Sequence, residues 1–337
     1  MTLETAKAAV DYLLNNLHIK KEKGFIGKDT KSFINFFGGE PTLLWNEIIV
    51  PLTLYMEEKY PDEIDLGITT NGTLLTEERI DFLYNHKINP LLSIDGAKET
   101  QDTNRPCQNG ESSFDKVIEI IPYLLEKFPN TTFRSTIDQN TVSHTFENYI
   151  FASYMGFQNI FMTPNGRENW TEENIQILKE QLEKIYVFIG QCFDNETLPI
   201  SFSTINESFE WVLKHDLNNM NNIDESQVER TCERCGVGIT FGSIGYDGNI
   251  YGCQEQDSKN KKNIFYLGNI FKQGVEKENH INLLQKYNQS EILKCENSKE
   301  CDDCNLRNIC KTFTCPSVSY DLFNSFFISD IIPCKWS

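Results

Sequence analysis

The sequence predicts an α/β protein with parallel strands and helices packed outside them, followed by a small cysteine-rich domain. Two observations carry this. Over the first ~195 residues short apolar runs alternate with amphipathic segments, the signature of βα units whose parallel strands need crossover helices. From Cys232 onward helical periodicity fades, and cysteine and glycine punctuate the chain.

Residues 3–17 form the first predicted helix, with Leu3, Ala6, Val10, Leu13, Leu14 and Leu17 at helical spacing and Thr2 as its cap. Residues 32–37 (SFINFF) are a short apolar strand, and a helix follows over about 46–59. Strand 64–69, helix 76–85, strand 89–94, helix 113–128, strand 131–137, helix 145–155, strand 157–162 and helix 171–193 continue the alternation. Five strands are thus expected, and the pattern opens on a helix that no strand precedes. Residues 194–231 mix polar loop with a helix near 206–214, and a further helix is expected at about 280–293. These readings divide the chain into an α/β domain at 1–195, a linker region at 196–230 and a cysteine-rich domain at 231–337.

Bulk properties narrow the function classes. The 337 residues are 39% apolar and 24% charged, as in soluble globular proteins, and carry a net charge of −18. So acidic a surface repels phosphate backbones and anionic headgroups, which argues against nucleic-acid and membrane partners. No apolar run reaches transmembrane length, and Met1-Thr2-Leu3-Glu4 lacks the basic and apolar regions of a signal peptide, so a cytoplasmic protein is expected.

The chain has 11 cysteines, none before Cys107, and all but Cys107 and Cys192 lie from Cys232 to Cys334. In a reducing compartment such clustering points to metal or redox chemistry. Cys232-x2-Cys235 leads to Gly248-x4-Cys253; Cys301-x2-Cys304-x5-Cys310-x4-Cys315 follows, and Cys334 closes the series. Eight thiolates suffice for two four-cysteine sites, because short Cys-x2-Cys pairs let two sulfurs reach one centre from a single turn. Gly242, Gly245 and Gly248 permit a tight hairpin returning Cys253 toward Cys235, with Asp247-Gly248 as a type I′ turn signal. Structural zinc uses the same pairs and stays open as an alternative. Cys107, Cys192 and Cys295 fall outside the pattern and read as buried free thiols.

This stretch resembles the SPASM domain, the C-terminal module of peptide-modifying radical-SAM enzymes. Cys235, Gly248-x4-Cys253, the Cys301-to-Cys310 run, Cys315, Cys334 and the Leu267-Gly268-Asn269-Ile270 step carry the resemblance. Four residues (Lys311 to Thr314) stand where the family usually has three. The resemblance implies two auxiliary [4Fe–4S] clusters, one on Cys232, Cys235, Cys253 and Cys315, the other on Cys301, Cys304, Cys310 and Cys334. The Cys232/Cys235 pair is the less secure step; were only one of them a ligand, an iron would stay open to a substrate thiol.

Three segments sit where predicted strands end, the place parallel α/β folds put their ligands. They are Gly38-Gly39-Glu40-Pro41, Thr69-Thr70-Asn71-Gly72 and Ser93-Ile94-Asp95-Gly96. Singly, each is an ordinary strand-to-helix turn; two glycines also let a ligand approach the backbone, and Glu40 offers a carboxylate. In order, and continued by Asp102-x2-Arg105 and Ser113-Phe114, they resemble the radical-SAM core. The resemblance implies a (β/α)6 barrel lacking its first strand, and S-adenosylmethionine held by Gly38, Gly39, Glu40, Pro41, Thr70, Asn71, Ser93 and Asp95. Arg134, on the next strand, sits where these enzymes often carry an arginine; a surface ion pair is the alternative.

The defining Cys-x3-Cys-x2-Cys loop of that family, whose three thiolates hold the cluster that cleaves S-adenosylmethionine, is absent from these 337 residues. A late start codon, a split gene, or a relative without the cluster would each account for it, and the chain alone is expected to be inactive and either poorly soluble or associated with a partner. The leading expectation is a maturase that abstracts hydrogen from a ribosomally made precursor peptide, with thioether formation the favoured product class and a ferredoxin or flavodoxin as reductant. A non-catalytic peptide-docking module built on clusters or zinc is the alternative. Formylglycine formation, as in sulfatase maturases, is disfavoured because that subgroup has an aspartate after the hairpin cysteine. Here Gln254 follows Cys253, and an amide is no general base.

Overall fold

The computed structural model describes residues 1–194, 201–202, 235–256, 263–272, 274–289 and 315–323. Cys232, Cys295, Cys301, Cys304, Cys310, Cys334 and the helix expected near 206–214 lie outside the described residues. The chain divides into two units, 28–214 and 1–27 with 215–337. The opening helix α1 (Leu3–Glu22) therefore groups with the cysteine-rich part, not with the sheet it was expected to flank.

Unit 28–214 is built on a parallel sheet in simple sequence order: β1 (Ser32–Phe36), β2 (Ile64–Thr70), β3 (Ile88–Ser93), β4 (Thr132–Ile137), β5 (Asn159–Pro164) and the short β6 (Ser201–Phe202). The five expected strands are all present, each within about two residues of its expected bounds. Their connections are α2 (Val50–Lys59), α3 (Glu77–Asn85), α4 (Lys98–Asn104), α5 (Ser113–Ile118), α6 (Ile121–Lys127), α7 (Thr145–Tyr154) and α8 (Glu172–Asp194). Leu66, Ile68, Ile88, Leu92, Phe133 and Ile160 from the strands and Ile80, Leu83, Val117, Leu124 and Tyr149 from the helices are all buried, so one core lies between sheet and helices.

The first helix runs past its expected end at residue 17 to Glu22, and two other expected helices differ because of a proline. The helix expected at 113–128 breaks into α5 and α6, since Pro122 has no N–H and its ring opposes the carbonyl four residues back, at Ile118. The helix expected from 46 begins only at Val50, with Pro51 in its first turn; before it run a 3₁₀ turn (Pro41–Leu44) and a π turn (Trp45–Ile49). Pro90 sits within β3 at no loss, because the β3–β4 ladder is confined to Leu92–Phe133 and Ser93–Arg134.

The other unit holds an antiparallel sheet ordered β10-β9-β8-β7, from β7 (Ser243–Ile244), β8 (Asn249–Tyr251), β9 (Tyr266–Asn269) and β10 (Gly274–Val275). Two helices follow, α9 (Glu278–Gln289) and α10 (Pro316–Phe323). Val237, Ile250, Cys253, Phe265, Leu267 and Leu284 form its core, with Tyr12 of α1 and Tyr320 of α10 packed against it. Thr2 caps α1 as expected, its hydroxyl accepting from the Thr5 N–H at 3.1 Å.

Candidate functional site

The C-terminal ends of β1 to β5 gather the motif residues of unit 28–214. At the end of β1, Gly38 and Gly39 are open: a Cβ at either would meet no atom within 4 Å. The main chain there is free for a ligand to approach. The Glu40 carboxylate also makes hydrogen bonds within the protein. Its Oε1 accepts from the Thr42 N–H at 3.0 Å, from the Thr42 hydroxyl and from the Thr70 hydroxyl at 2.7 Å, and its Oε2 accepts from the Asn71 N–H at 2.8 Å. Glu40 thus caps the 3₁₀ turn beginning at Pro41 and clasps the β1 loop to the β2 loop.

Thr70 and Asn71 close the β2 end. The Asn71 side-chain oxygen accepts from the Thr73 N–H at 2.9 Å and hydroxyl at 2.7 Å, a local turn that tolerates no longer side chain. Gly72 has φ +75°, and a Cβ there would stand 2.6 Å from Leu92 Cδ1.

At the β3 end, Asp95 is buried at 3% exposure and pairs in fork geometry with Arg105, at 2.9 Å to Nε and 3.0 Å to Nη2. Its Oδ1 also accepts from the Thr136 N–H at 2.9 Å, and its backbone oxygen accepts from the Ser135 hydroxyl at 2.9 Å. Asp95 is therefore the knot joining β3, β4 and the segment after α4. Asp102 makes a parallel clasp, accepting from the Ser112 hydroxyl at 2.7 Å and the Phe114 N–H at 3.0 Å at the start of α5. Burial alone would raise the Asp102 carboxyl. The Phe114 N–H, the Ser112 hydroxyl and the Lys98 charge outweigh it and hold the group below the ordinary carboxylate value. Ser93, the last residue of β3, lies beside Arg134 in the ladder. Arg134 donates to the Ser135 carbonyl at 2.6 Å and lays its guanidinium over the Phe161 ring, 4.8 Å from the centroid.

Asp95, Arg105 and Thr136 border a polar cavity of about 260 Å³ that Asn104, Asp138 and Asn165 complete. The last three carry no motif signal in the sequence; only the register of β3, β4 and β5 brings them together.

In the other unit the hairpin behaves as expected, with a different turn. Only Gly248 (φ +78°) is left-handed; Asp247 is not, so the four-residue turn Gly245–Gly248 is not type I′. The Gly238 N–H donates to the Gly252 carbonyl at 3.0 Å, which draws the Cys235 segment against the Cys253 segment. Cys253 is buried, whereas Cys235 and Cys315 are exposed. Burial pushes the Cys253 thiol up to about 12; the Glu255 N–H opposes this, and the charges of Cys315, Glu255 and Cys235 add to it. Three of the four thiols expected to share a site are thus near enough to act on one another, and the fourth, Cys232, is outside the described residues. Among the described residues no three His, Cys, Asp or Glu side chains are grouped as ligands of a single metal ion, and no helix is long and apolar enough to cross a membrane.

Residues 17–150 match the Radical SAM superfamily model. An uncharacterized protein of Methanocaldococcus jannaschii is 36% identical over 114 residues, 34% of this chain and 35% of that one. The radical SAM cyclopropyl synthase TigE of Paramaledivibacter caminithermalis is 28% identical over 140 residues, 42% and 28% of the two chains. A cysteine-type anaerobic sulfatase-maturating enzyme of Clostridium novyi is 26% identical over 153 residues, 45% and 41%. The matches therefore span well under half the length of each relative. Among solved structures, native anSMEcpe with bound AdoMet and Cp18Cys peptide covers 92% of this chain and 80% of its own at 20% identity, with a TM-score of 0.65. The likeness is one of fold, and it extends over both units. Residues 17–150 are thus a Radical SAM superfamily domain, within a chain that shares the fold of that structure.

Proposed function

We propose that this chain is the body of a radical-SAM peptide maturase, acting on a ribosomally made precursor peptide and carrying a SPASM-like domain with two auxiliary [4Fe–4S] clusters. One observation carries the reading: exposed Gly38–Gly39 backbone at the β1 end, held beside the β2 loop by the Glu40 clasp inside the matched domain. The residues present fit S-adenosylmethionine. Backbone carbonyls of 38–39 would accept from its amine, Thr70, Asn71 and Ser93 would line its approach, and Arg134 would stand by its carboxylate. When bound, the cofactor supplies hydrogen-atom abstraction. The chain's own part is to hold it at the strand ends and to admit the peptide over the polar cavity that Asn104, Asp138 and Asn165 help to line. The peptide bound in a structure of this fold and the sulfatase-maturating name of a relative support a polypeptide substrate.

The donor set of the other unit fits a cluster. Each thiolate of a cubane binds a separate iron, so the sulfurs stand further apart than the ligands of one ion. Cys253, Cys235 and Cys315 lie within electrostatic reach but are not grouped for a single ion. Loading would remove a proton from Cys253, offsetting the burial that holds the free thiol protonated. Thioether formation is the preferred product class, with a ferredoxin or flavodoxin as reductant in the cytoplasm. Formylglycine formation remains the lesser reading, since Gln254 follows Cys253.

The 337 residues hold no Cys-x3-Cys-x2-Cys run, so activity needs a polypeptide that supplies one. The test is anaerobic reconstitution with such a polypeptide, S-adenosylmethionine, dithionite and a candidate precursor peptide. Release of 5′-deoxyadenosine and a peptide mass lower by two hydrogens is the expected result. A chain that takes up zinc and no iron would overturn the reading in favour of a non-catalytic peptide-docking module.

A further inference from the structure

We infer that Gln256 is a positioning residue that sets Cys315 against Cys253 and thereby fixes the geometry of the first thiolate site. The inference rests on the cluster reading above. Cys253 runs into a 3₁₀ turn, Gln254–Gln256, which the Gln256 N–H closes onto the Cys253 carbonyl at 3.1 Å. Cys315 directly precedes α10, far along the chain from Cys253.

Gln256 supplies the tie. It is buried at 0% exposure, and both ends of its amide are used. Nε2 donates to the Ser317 hydroxyl at 2.7 Å and to the Asp321 carboxylate at 3.1 and 3.2 Å, while Oε1 accepts from Asn263 Nδ2 at 2.5 Å. Ser317 and Asp321 are four residues apart, on one face of α10. A grip at two successive turns fixes both the height of the helix and its rotation about its axis. That rotation decides where Cys315, two residues before Ser317, presents its sulfur. Tyr320 also lies edge-on to Phe265 at 5.7 Å, an apolar contact that tolerates slip. The amide network does not, because a buried donor or acceptor left unpaired is costly.

The polarity of the amide gives the test. Gln256→Glu puts a carboxylate against Asp321, and Gln256→Glu with Asp321→Asn restores a donor facing an acceptor. The assay is anaerobic reconstitution of the full chain, with iron and sulfide quantitation and electron paramagnetic resonance of the reduced protein. Two auxiliary clusters give about eight irons per chain. The single variant is expected to lose about four of them, with one of two spectral components, and the double variant to regain both. A residue that merely stabilised the fold would lower the melting temperature and leave iron content and spectrum unchanged; that result overturns the inference. Should Gln256→Glu fail to fold, Ser317→Ala removes one contact, and it is expected to shift the spectrum or potential of one cluster only. An unshifted Ser317→Ala sinks the proposal equally. Wild-type chain that binds no iron would sink the cluster reading itself, whereas two intact clusters in an indifferent Gln256→Glu would sink only the role of Gln256.

Discussion

The Asp95 knot makes the most exacting prediction. Asp95→Asn keeps the volume and removes the charge, so no cavity complicates the outcome. With its oxygen in the place of Oδ1 the amide still accepts from the Thr136 N–H and Arg105 Nη2, but its NH₂ opposes Arg105 Nε; turned round, the NH₂ opposes both of the other donors. Removing one member of a buried pair costs about 3–5 kcal/mol. Asp95 is 3% exposed, but Arg105 is 32% exposed and can rehydrate, which places the loss near the lower end, about 3 kcal/mol. For a unit the size of residues 28–214, each kcal/mol moves the midpoint by roughly 2–4 °C, so the variant should melt about 6–12 °C lower. Thermal unfolding followed by circular dichroism measures this. Arg105→Gln added to Asp95→Asn should cost much less than the sum of the two single changes, since each already strands the other. A variant melting within about 2 °C of the parent, or fully additive changes, would mean that the pair carries no weight and that β3 and β4 are held by their ladder and apolar packing.

Three further predictions are open to simple measurement. Gly72→Ala forces a side chain into positive φ and against Leu92, so its urea midpoint should fall by the equivalent of about 1–3 kcal/mol. Asp81, lowered by hydrogen bonds from Lys127 and Tyr123, and Asp102, lowered on balance despite burial, both bind protons more weakly when folded than unfolded. Their contribution is thus complete above the unfolded carboxylate value of about 4 and is lost as pH falls further; Lys127→Met should flatten that acid limb in pH-dependent melts. In metal-free chain, iodoacetamide at pH 8 should alkylate exposed Cys235 and Cys315 readily and buried Cys253 slowly, as peptide mass spectrometry will read; equal rates would contradict the burial that raises its thiol to about 12.

How far the sequence reveals this molecule depends on the range of each interaction. The strands of the sheet are legible because SFINFF, IDLGIT and their successors are local apolar runs with turn residues at both ends. Pro122 and Pro51 are equally local, and attention to them would have divided the 113–128 helix and delayed the 46–59 one. Glu40 and Asp95 stand out as motif residues, yet their clasping role is not legible, because the hydrogen bonds from Thr70, Asn71, Arg105 and Thr136 arrive from other elements. Gln256 is the extreme case: one glutamine in a polar stretch, with partners at Asn263, Ser317 and Asp321. Composition hides such a residue because its meaning resides in burial. An exposed glutamine contributes almost nothing, while the same amide at zero exposure must pair at every donor and acceptor and so dictates where the elements around it sit. Positions of this kind organise ligands that motifs identify only by name. A cysteine pattern specifies which sulfurs are available, and the buried polar residues between them decide whether those sulfurs converge.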